Sequence, residues 1–366
     1  MKKSFILLSS ALLTASILAG CNKNKEPVEI AVVTDVGQLM DGGFNQGTYE
    51  GAKKYAEAHK IAYNYYAPAN GSKATDADRE AAMNSAIENG AKVIVAPGFL
   101  QEKAMRNVAQ ANPDVKFVFV DGWNLGLKNI TAISYKEEEA GYMAGYAVTK
   151  EGYTKLGGTF GGGGSNPACN RFSYGFIQGA NDAATAMGKT VEYKMSFKNG
   201  SSFSASTELQ TQISGWYKAG TEVVFSCGGS MVNSVIAAAQ SYENAKIVGV
   251  DTDQAALSPK IITSATKGLA VSVEKVLGEF YDGKWDAQLA DKTSKLGAAD
   301  NATGLPTADG SWRFKTFTKE EYKTLFDGIA KGSITIDSKT PENMNTQEVW
   351  TAIDEKLTAA TISFEA

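Results

Sequence analysis

The chain has 366 residues, 43% hydrophobic and 21% charged, with a formal net charge of −4. That length allows two ordinary domains with real cores, and dispersed Lys and Arg exclude the basic stripe of a nucleic-acid surface. One histidine, His59, excludes histidine triads and multi-histidine metal sites, and the three cysteines (Cys21, Cys169, Cys227) have no CxxC spacing and so form no zinc or redox motif.

Lys2 and Lys3 precede FILLSSALLTASILAG, an apolar run with small residues before Cys21. Residues 1–20 read as a secretory signal peptide. LAGC (18–21) looks like a bacterial lipobox, with Cys21 lipidated and left as the mature N-terminus. Each buried acyl CH₂ contributes roughly 0.8 kcal/mol, so a multiply acylated Cys21 anchors stably. Residues 21–27 are a short polar tether. No later run reaches the ~20 apolar residues that span a bilayer. The expected location is the extracytoplasmic face of the cell membrane.

Next, VEIAVV reads as a strand, followed by the loop from Thr34 to Gly43 and a helix with Tyr49, Ala52, Ala56 and His59 on one face. DADREAAMNSAIENG is a helix capped by Thr75 or Asp76, with Met83, Ala86 and Ile87 inward and Gly90 as stop. KVIVAPG, EKAMRNVAQANP, KFVFVDG and EEEAGYMAGYAVTK continue as strand, helix, strand, helix. The alternation restarts with KLGGTFGGGG, RFSYGFIQGANDAATAMG, VEYKMSF, a helix over residues 206–219, EVVFSC, VNSVIAAAQ and KIVGVD. IITSATK, the helix LAVSVEKVLGEFYDG, an irregular tail and the helix KEEYKTLFDGIAKG follow. Apolar runs of four to six residues alternating with helices predict parallel strands buried on both faces, in two doubly wound α/β units.

Such sheets bind ligands beyond the carboxyl ends of their strands. The first loop, TDVGQLMDGGFNQG, lacks the GxxxxGK[ST] and GxGxxG patterns, and Asp41 would repel phosphate. Phe44 offers a flat face and Asn45 a donor and an acceptor, suited to a planar, polar, uncharged ligand; alternatively Phe44 is a staple and Asn45 a helix cap. Asp121 ends a strand and could accept two N–H bonds from a heterocycle, or is a turn residue of VDGWN. Asp251 could accept from paired sugar hydroxyls, or caps DTDQ. Lys267 could donate to the same hydroxyls, or is a solvated lysine. Gly228 and Gly229 allow backbone N–H groups to approach a ligand, or form a plain loop. FGGGGSNPACNRF fits close backbone approach or a flexible connection, and Cys169 and Cys227 read as packing residues or a free thiol.

Taken together, AVVTD with DGGFNQGTYEG, EEEAGYMAGYAV, RFSYGFIQGA, AGTEVVFSCGGS and KIVGVDTDQ resemble, in this order, the basic membrane protein family of bacterial lipoproteins. These are substrate-binding components of ABC importers and include the purine nucleoside receptors. The resemblance covers nearly the whole mature chain. It implies a type I periplasmic-binding-protein fold of two Rossmann-like, doubly wound lobes, with three hinge crossovers near 150, 252 and 288. The lobes would comprise residues 28–150 plus 252–288 and 151–251 plus 289–366. It also implies that Phe44 and Phe203 sandwich a base, that Asn45 and Asp121 bind its edge, and that Gly228, Asp251 and Lys267 hold the ribose. Phe203 is placed by its spacing from the helix ending at Gly220. Gly42 and Gly43 stand where the family usually has Lys-Ser, Ala205 and Glu208 replace an Asp and a Lys, and Met231 replaces a glycine.

The leading reading is a lipid-anchored, monomeric receptor that closes on a purine nucleoside and delivers it to ABC permease subunits, with no cofactor, metal or nucleic acid. The same fold binding another flat heterocycle or a sugar-like signal is the alternative. A surface nucleoside hydrolase is a third reading, which no clustered DxD constellation supports.

Overall fold

A computed structural model of the chain describes residues 27–36 and 38–366. The signal peptide, Cys21 and all of the tether but Pro27 lie outside the described residues. The chain runs β1 (Ile30–Val33), α1 (Phe44–His59), β2 (Tyr63–Tyr66), α2 (Asp76–Glu88), β3 (Val93–Pro97), α3 (Glu102–Ala111), β4 (Lys116–Val120) and β5 (Ile130–Tyr135). It continues with α4 (Glu137–Lys150), β6 (Lys155–Phe160), α5 (Pro167–Met187), β7 (Val191–Ser196), α6 (Thr207–Lys218), β8 (Val223–Cys227), α7 (Met231–Ala239), β9 (Lys246–Asp251) and β10 (Ile261–Lys267). The last elements are α8 (Leu269–Tyr281), β11 (Thr293–Leu296), β12 (Thr303–Gly304), α9 (Lys319–Ala330), α10 (Gln347–Asp354) and β13 (Ala360–Glu365).

The strands form two sheets, ordered β11-β5-β4-β3-β1-β2 and β12-β10-β9-β8-β6-β7-β13. Among the described residues every pairing is parallel except β10 with β12. IAVV, VIVAP and VVFSC are buried throughout, as central parallel strands covered by helices on both faces must be. Counted from its own first strand, each sheet has the doubly wound order 2-1-3-4-5. The direction of winding therefore reverses between β1 and β3 in one lobe and between β6 and β8 in the other. The expectation of two doubly wound α/β lobes matches this architecture. Among the described residues, no helix is long and apolar enough to cross a membrane.

Local chemistry fixes the helix ends. Thr75 caps α2 in a capping box with Asp78, and Thr318 caps α9 in one with Glu321. Asn166 caps α5 with Pro167 in its first turn, and Gly188, with φ of 62°, ends it in the left-handed region. Helices α4 and α5 meet backbone to backbone. A Cβ on Gly145 would lie 1.9 Å from the Phe176 carbonyl oxygen, and one on Gly179 would lie 2.0 Å from that of Tyr142. Glycines one helical turn apart on each helix are what allow this approach.

That interlock corrects the expected lobe boundaries. Helix α4 packs on α5 and β10, so the first crossover is at Lys136, directly after β5, and not near 150. Strand β10 continues the second sheet beside β9, so the second crossover follows Lys267, not 252. Strand β11 completes the first sheet beside β5, moving the third from near 288 to just past Leu296. The first lobe thus holds residues 27–136 and 268–296, and the second holds 137–267 and 297–366. The crossing segments are tied in pairs, with Lys136 N donating to Leu296 O and Gly268 N to Ala302 O, both at 2.8 Å. The tail read as irregular supplies two further strands, β11 and β12, and the residues beyond its closing helix supply the edge strand β13.

Candidate ligand-binding site

The two winding reversals open onto one cavity of about 270 Å³, lined from both lobes. Asp41, Phe44, Asn45, Asp121, Phe203, Gly228, Gly229, Asp251 and Lys267 all line it. The sequence placed these residues at strand ends, and the topology brings the strand ends together.

The first lobe contributes polar atoms. Asp41 accepts from the backbone N–H groups of Gly43 (2.8 Å), Asn45 (3.1 Å) and Gln46 (3.2 Å), so from two residues before the N-cap Gly43 its side chain takes up the open N–H groups at the start of α1. Asn45, for which capping was one reading, sits inside the first turn. Its Nδ2 donates to Val36 O at 2.9 Å, and its Oδ1 is buried without a partner. Burial raises the Asp41 pKa against the lowering effect of those three N–H groups. Asp35 lies beside it, and a Cβ on Gly98 would come within 1.8 Å of its Oδ2, so only glycine fits there. Burial pushes the Asp35 carboxyl up to about 7, and the Val36 N–H only partly offsets this. Asp121, at the end of β4, binds Lys267 Nζ through Oδ2 at 2.5 Å and leaves Oδ1 buried and unpartnered.

The second lobe contributes rings and bare backbone. A Cβ on Gly161 would lie 2.4 Å from the Phe203 ring, and one on Gly228 would lie 3.2 Å from it. The glycine run is therefore a shelf on which Phe203 rests. Ser230 N donates to Phe203 O at 3.0 Å, and Gly229 must lack a side chain to let that carbonyl approach. Met231, one of the departures from the family pattern, is fully buried behind Gly228.

Lys267 joins the two walls. It is 6% exposed, which settles it as a buried group and not a solvated one. Besides Asp121, its ammonium lies 3.3 Å from Asp251 Oδ1, 3.9 Å from Glu137 Oε1 and 4.7 Å from the centre of the Phe44 ring. Burial opposes its charge, but Asp121, Asp251 and Glu137 outweigh that and hold its pKa well above the usual range. Burial likewise lifts Asp121 to about 6 and raises Asp251, with Lys267 pulling both down. In DTDQ the turn bond to Ala255 N is made by Asp253, which leaves Asp251 to face Lys267. Asp121, Phe203 and Asp251 have φ of 56°, 56° and 67°, the left-handed region that side chains other than those of Asn and Asp rarely enter. For Phe203 this is strain, of the kind that gathers where a fold must aim a side chain.

Sequence reasoning missed several lining or supporting groups. Arg171 lines the cavity and donates through Nε to the fully buried Glu137 Oε2 at 2.6 Å. Both lay in segments read as helices of the family pattern, and their opposite charges there were the available signal. Trp123 and Phe172 also line the cavity. Asp121, Asp251, Glu137 and Glu138 surround Lys267 and Arg171, so carboxylates outnumber cations and the site disfavours phosphate.

Residues 28–354 match the family model described as Bmp, the PnrA-like ABC transporter substrate-binding proteins. The chain is 27% identical to the ABC transporter nucleoside-binding protein BmpA of Lactococcus lactis, over 93% of this chain and all of that protein. It is 25% identical to an uncharacterized lipoprotein of Pyrococcus abyssi, over all of this chain and 93% of that one. A solved ABC-transporter solute-binding protein from Aeropyrum pernix superposes with a TM-score of 0.71 at 21% identity, covering 86% of this chain and 94% of that one.

Proposed function

Because the chain belongs to the Bmp family of PnrA-like ABC transporter substrate-binding proteins, we propose that it is a lipid-anchored extracytoplasmic receptor that captures a purine nucleoside between its lobes and passes it to permease subunits. The observation that carries this reading is the pairing of aromatic rings with spare acceptors in one cavity. Phe44 and Phe203 come from opposite lobes, and Asn45 Oδ1 and Asp121 Oδ1 are buried with no partner. An unmet buried acceptor costs on the order of 1–3 kcal/mol, which a ligand N–H recovers on binding. Phe44 and Phe203 sandwich the base, Asn45 and Asp121 take its donor edge, and Gly228, Asp251 and Lys267 hold the ribose. Asp41 serves the site through the helix start that its carboxylate holds. The name of the Lactococcus relative supports the ligand class, and those of the archaeal lipoproteins support the anchor at Cys21.

Titration calorimetry with guanosine, inosine and adenosine tests the proposal against ribose, free bases and nucleoside 5′-phosphates. Nucleosides should bind at least tenfold tighter than either fragment and tighter than their phosphates. A stronger response to a free sugar, or none to any nucleoside, overturns it.

A further inference from the structure

Two thiols meet in the wall of this cavity. Cys169 lies in the first turn of α5, with its N–H held by the Asn166 side chain at 2.8 Å. Cys227 is the last residue of β8, directly before Gly228. They are 58 residues apart in sequence, yet their sulfurs are 3.8 Å apart, and both are free thiols. They are 6% and 1% exposed, and what exposure they have belongs to the cavity that both line. With Cys21 committed to the lipobox, they are the remaining cysteines of the chain. Disulfides form and persist outside the cytoplasm, where this family works.

We propose that Cys169 and Cys227 are a dithiol oxidation site, converted to an intramolecular disulfide by a small peroxide that enters through the cavity. Cys169 reacts first. It is the more exposed of the two, and burial together with contact with Cys169 holds the Cys227 thiol protonated. The Cys169 sulfur attacks one oxygen of hydrogen peroxide. The O–O bond breaks, and a sulfenic acid and one water result, the thiol proton leaving with the water. The Cys227 sulfur then attacks the Cys169 sulfur. An S–S bond forms, the S–O bond breaks, and a second water carries away the Cys227 proton. Two thiols are oxidised by two electrons and one peroxide is reduced to two waters. The bond ties the first turn of α5 to the end of β8 beside Gly228, and so fixes the wall that supports Phe203.

The inference does not depend on which ligand the cavity takes, and its test needs none. The full chain is treated with hydrogen peroxide, its remaining thiols are trapped with N-ethylmaleimide, and it is digested without reductant. The expected result is a linked pair of peptides holding Cys169 and Cys227, 2 Da lighter than the two reduced peptides together. It should be absent from Cys227→Ser and lost on treatment with dithiothreitol. Closing a loop of this length should also raise the melting temperature of the wild-type protein by roughly 5 °C, reversibly. Recovery of both cysteines as separate maleimide adducts, or a link only between molecules, overturns the proposal. Because these readings come from the wild-type chain, they stand even where the serine variant does not fold.

Discussion

The two lobes repeat one winding order and each gives the cavity an aromatic ring, Phe44 or Phe203, yet what they set around that ring differs. The first lobe presents carboxylate and amide oxygens (Asp35, Asn45 and Asp121), the first two side chains held by the backbone of Val36 and the third by the Lys267 ammonium. The second presents glycine backbone, the Phe203 ring, two thiols and the Asp251 carboxylate, and reaches across to Asp121 with the Lys267 ammonium. In the proposed receptor the same strand-end geometry serves two tasks, reading a ligand's edge and covering its face. The residues after each strand decide which task a lobe performs.

The largest effect should come from the reading side. Asp121→Ala removes an unpaired acceptor and the shortest ion pair of the Lys267 ammonium, so nucleoside affinity should fall at least tenfold by calorimetry. Unchanged affinity would remove Asp121 from the reading wall. On the covering side, Gly161→Ala pushes a methyl into the space of the Phe203 ring and should weaken binding roughly fivefold, a smaller loss because no buried polar group is orphaned. Equal losses from the two variants would erase the division of labour.

Stability sharpens the same contrast. In the second lobe, Gly145→Ala cannot be accommodated without parting α4 from α5, and urea unfolding should show a loss of about 2–3 kcal/mol. In the first lobe, Asp35 supplies a pH dependence. Its folded pKa, about 7, lies above the ordinary carboxyl value, so the folded state holds this proton between about pH 4 and pH 7 while the unfolded state releases it. Stability from this group is therefore greatest near pH 4, declines as pH rises, and levels off above about 7, with an upper bound of about 4 kcal/mol. Asp35→Asn should flatten that slope, so that its melting temperature exceeds the wild-type value by more at pH 8 than at pH 5. The smallest effect belongs to the surface. Lys54→Ala breaks an exposed 3.0 Å pair with Glu274 and should change stability by less than about 1 kcal/mol.

The strand ends were legible because buried parallel strands announce themselves as apolar runs and their carboxyl ends are where ligands go. That logic alone reached Asp121 and Asp251, and the family resemblance added Phe203. The crossovers were not legible, because a boundary drawn at the end of an apolar run cannot show which sheet the next strand joins. IITSATK looks the same in either lobe, and only hydrogen bonding to β9 assigns it. Of the two readings of Asn45, capping of α1 does not hold. Asn is a favoured cap residue, but Asp41, two residues before Gly43, reaches three N–H groups at once. The contact between Cys169 and Cys227 was invisible because no spacing rule links an early helix turn to a strand end 58 residues later.

The glycine seam between α4 and α5 carries a mechanical consequence. Glu137 opens one of these helices, immediately past the first crossover, and Arg171 sits on the other, with no side chain between their backbones to yield under load. Any twist of the linking strand at Lys136 must therefore turn the two helices as one stiff lever, and swing Arg171 and the neighbouring shelf with it. In the capture proposed above, a methyl group in that seam would act as a worn bearing, leaving play between the turn of the linking segment and the closing of the wall.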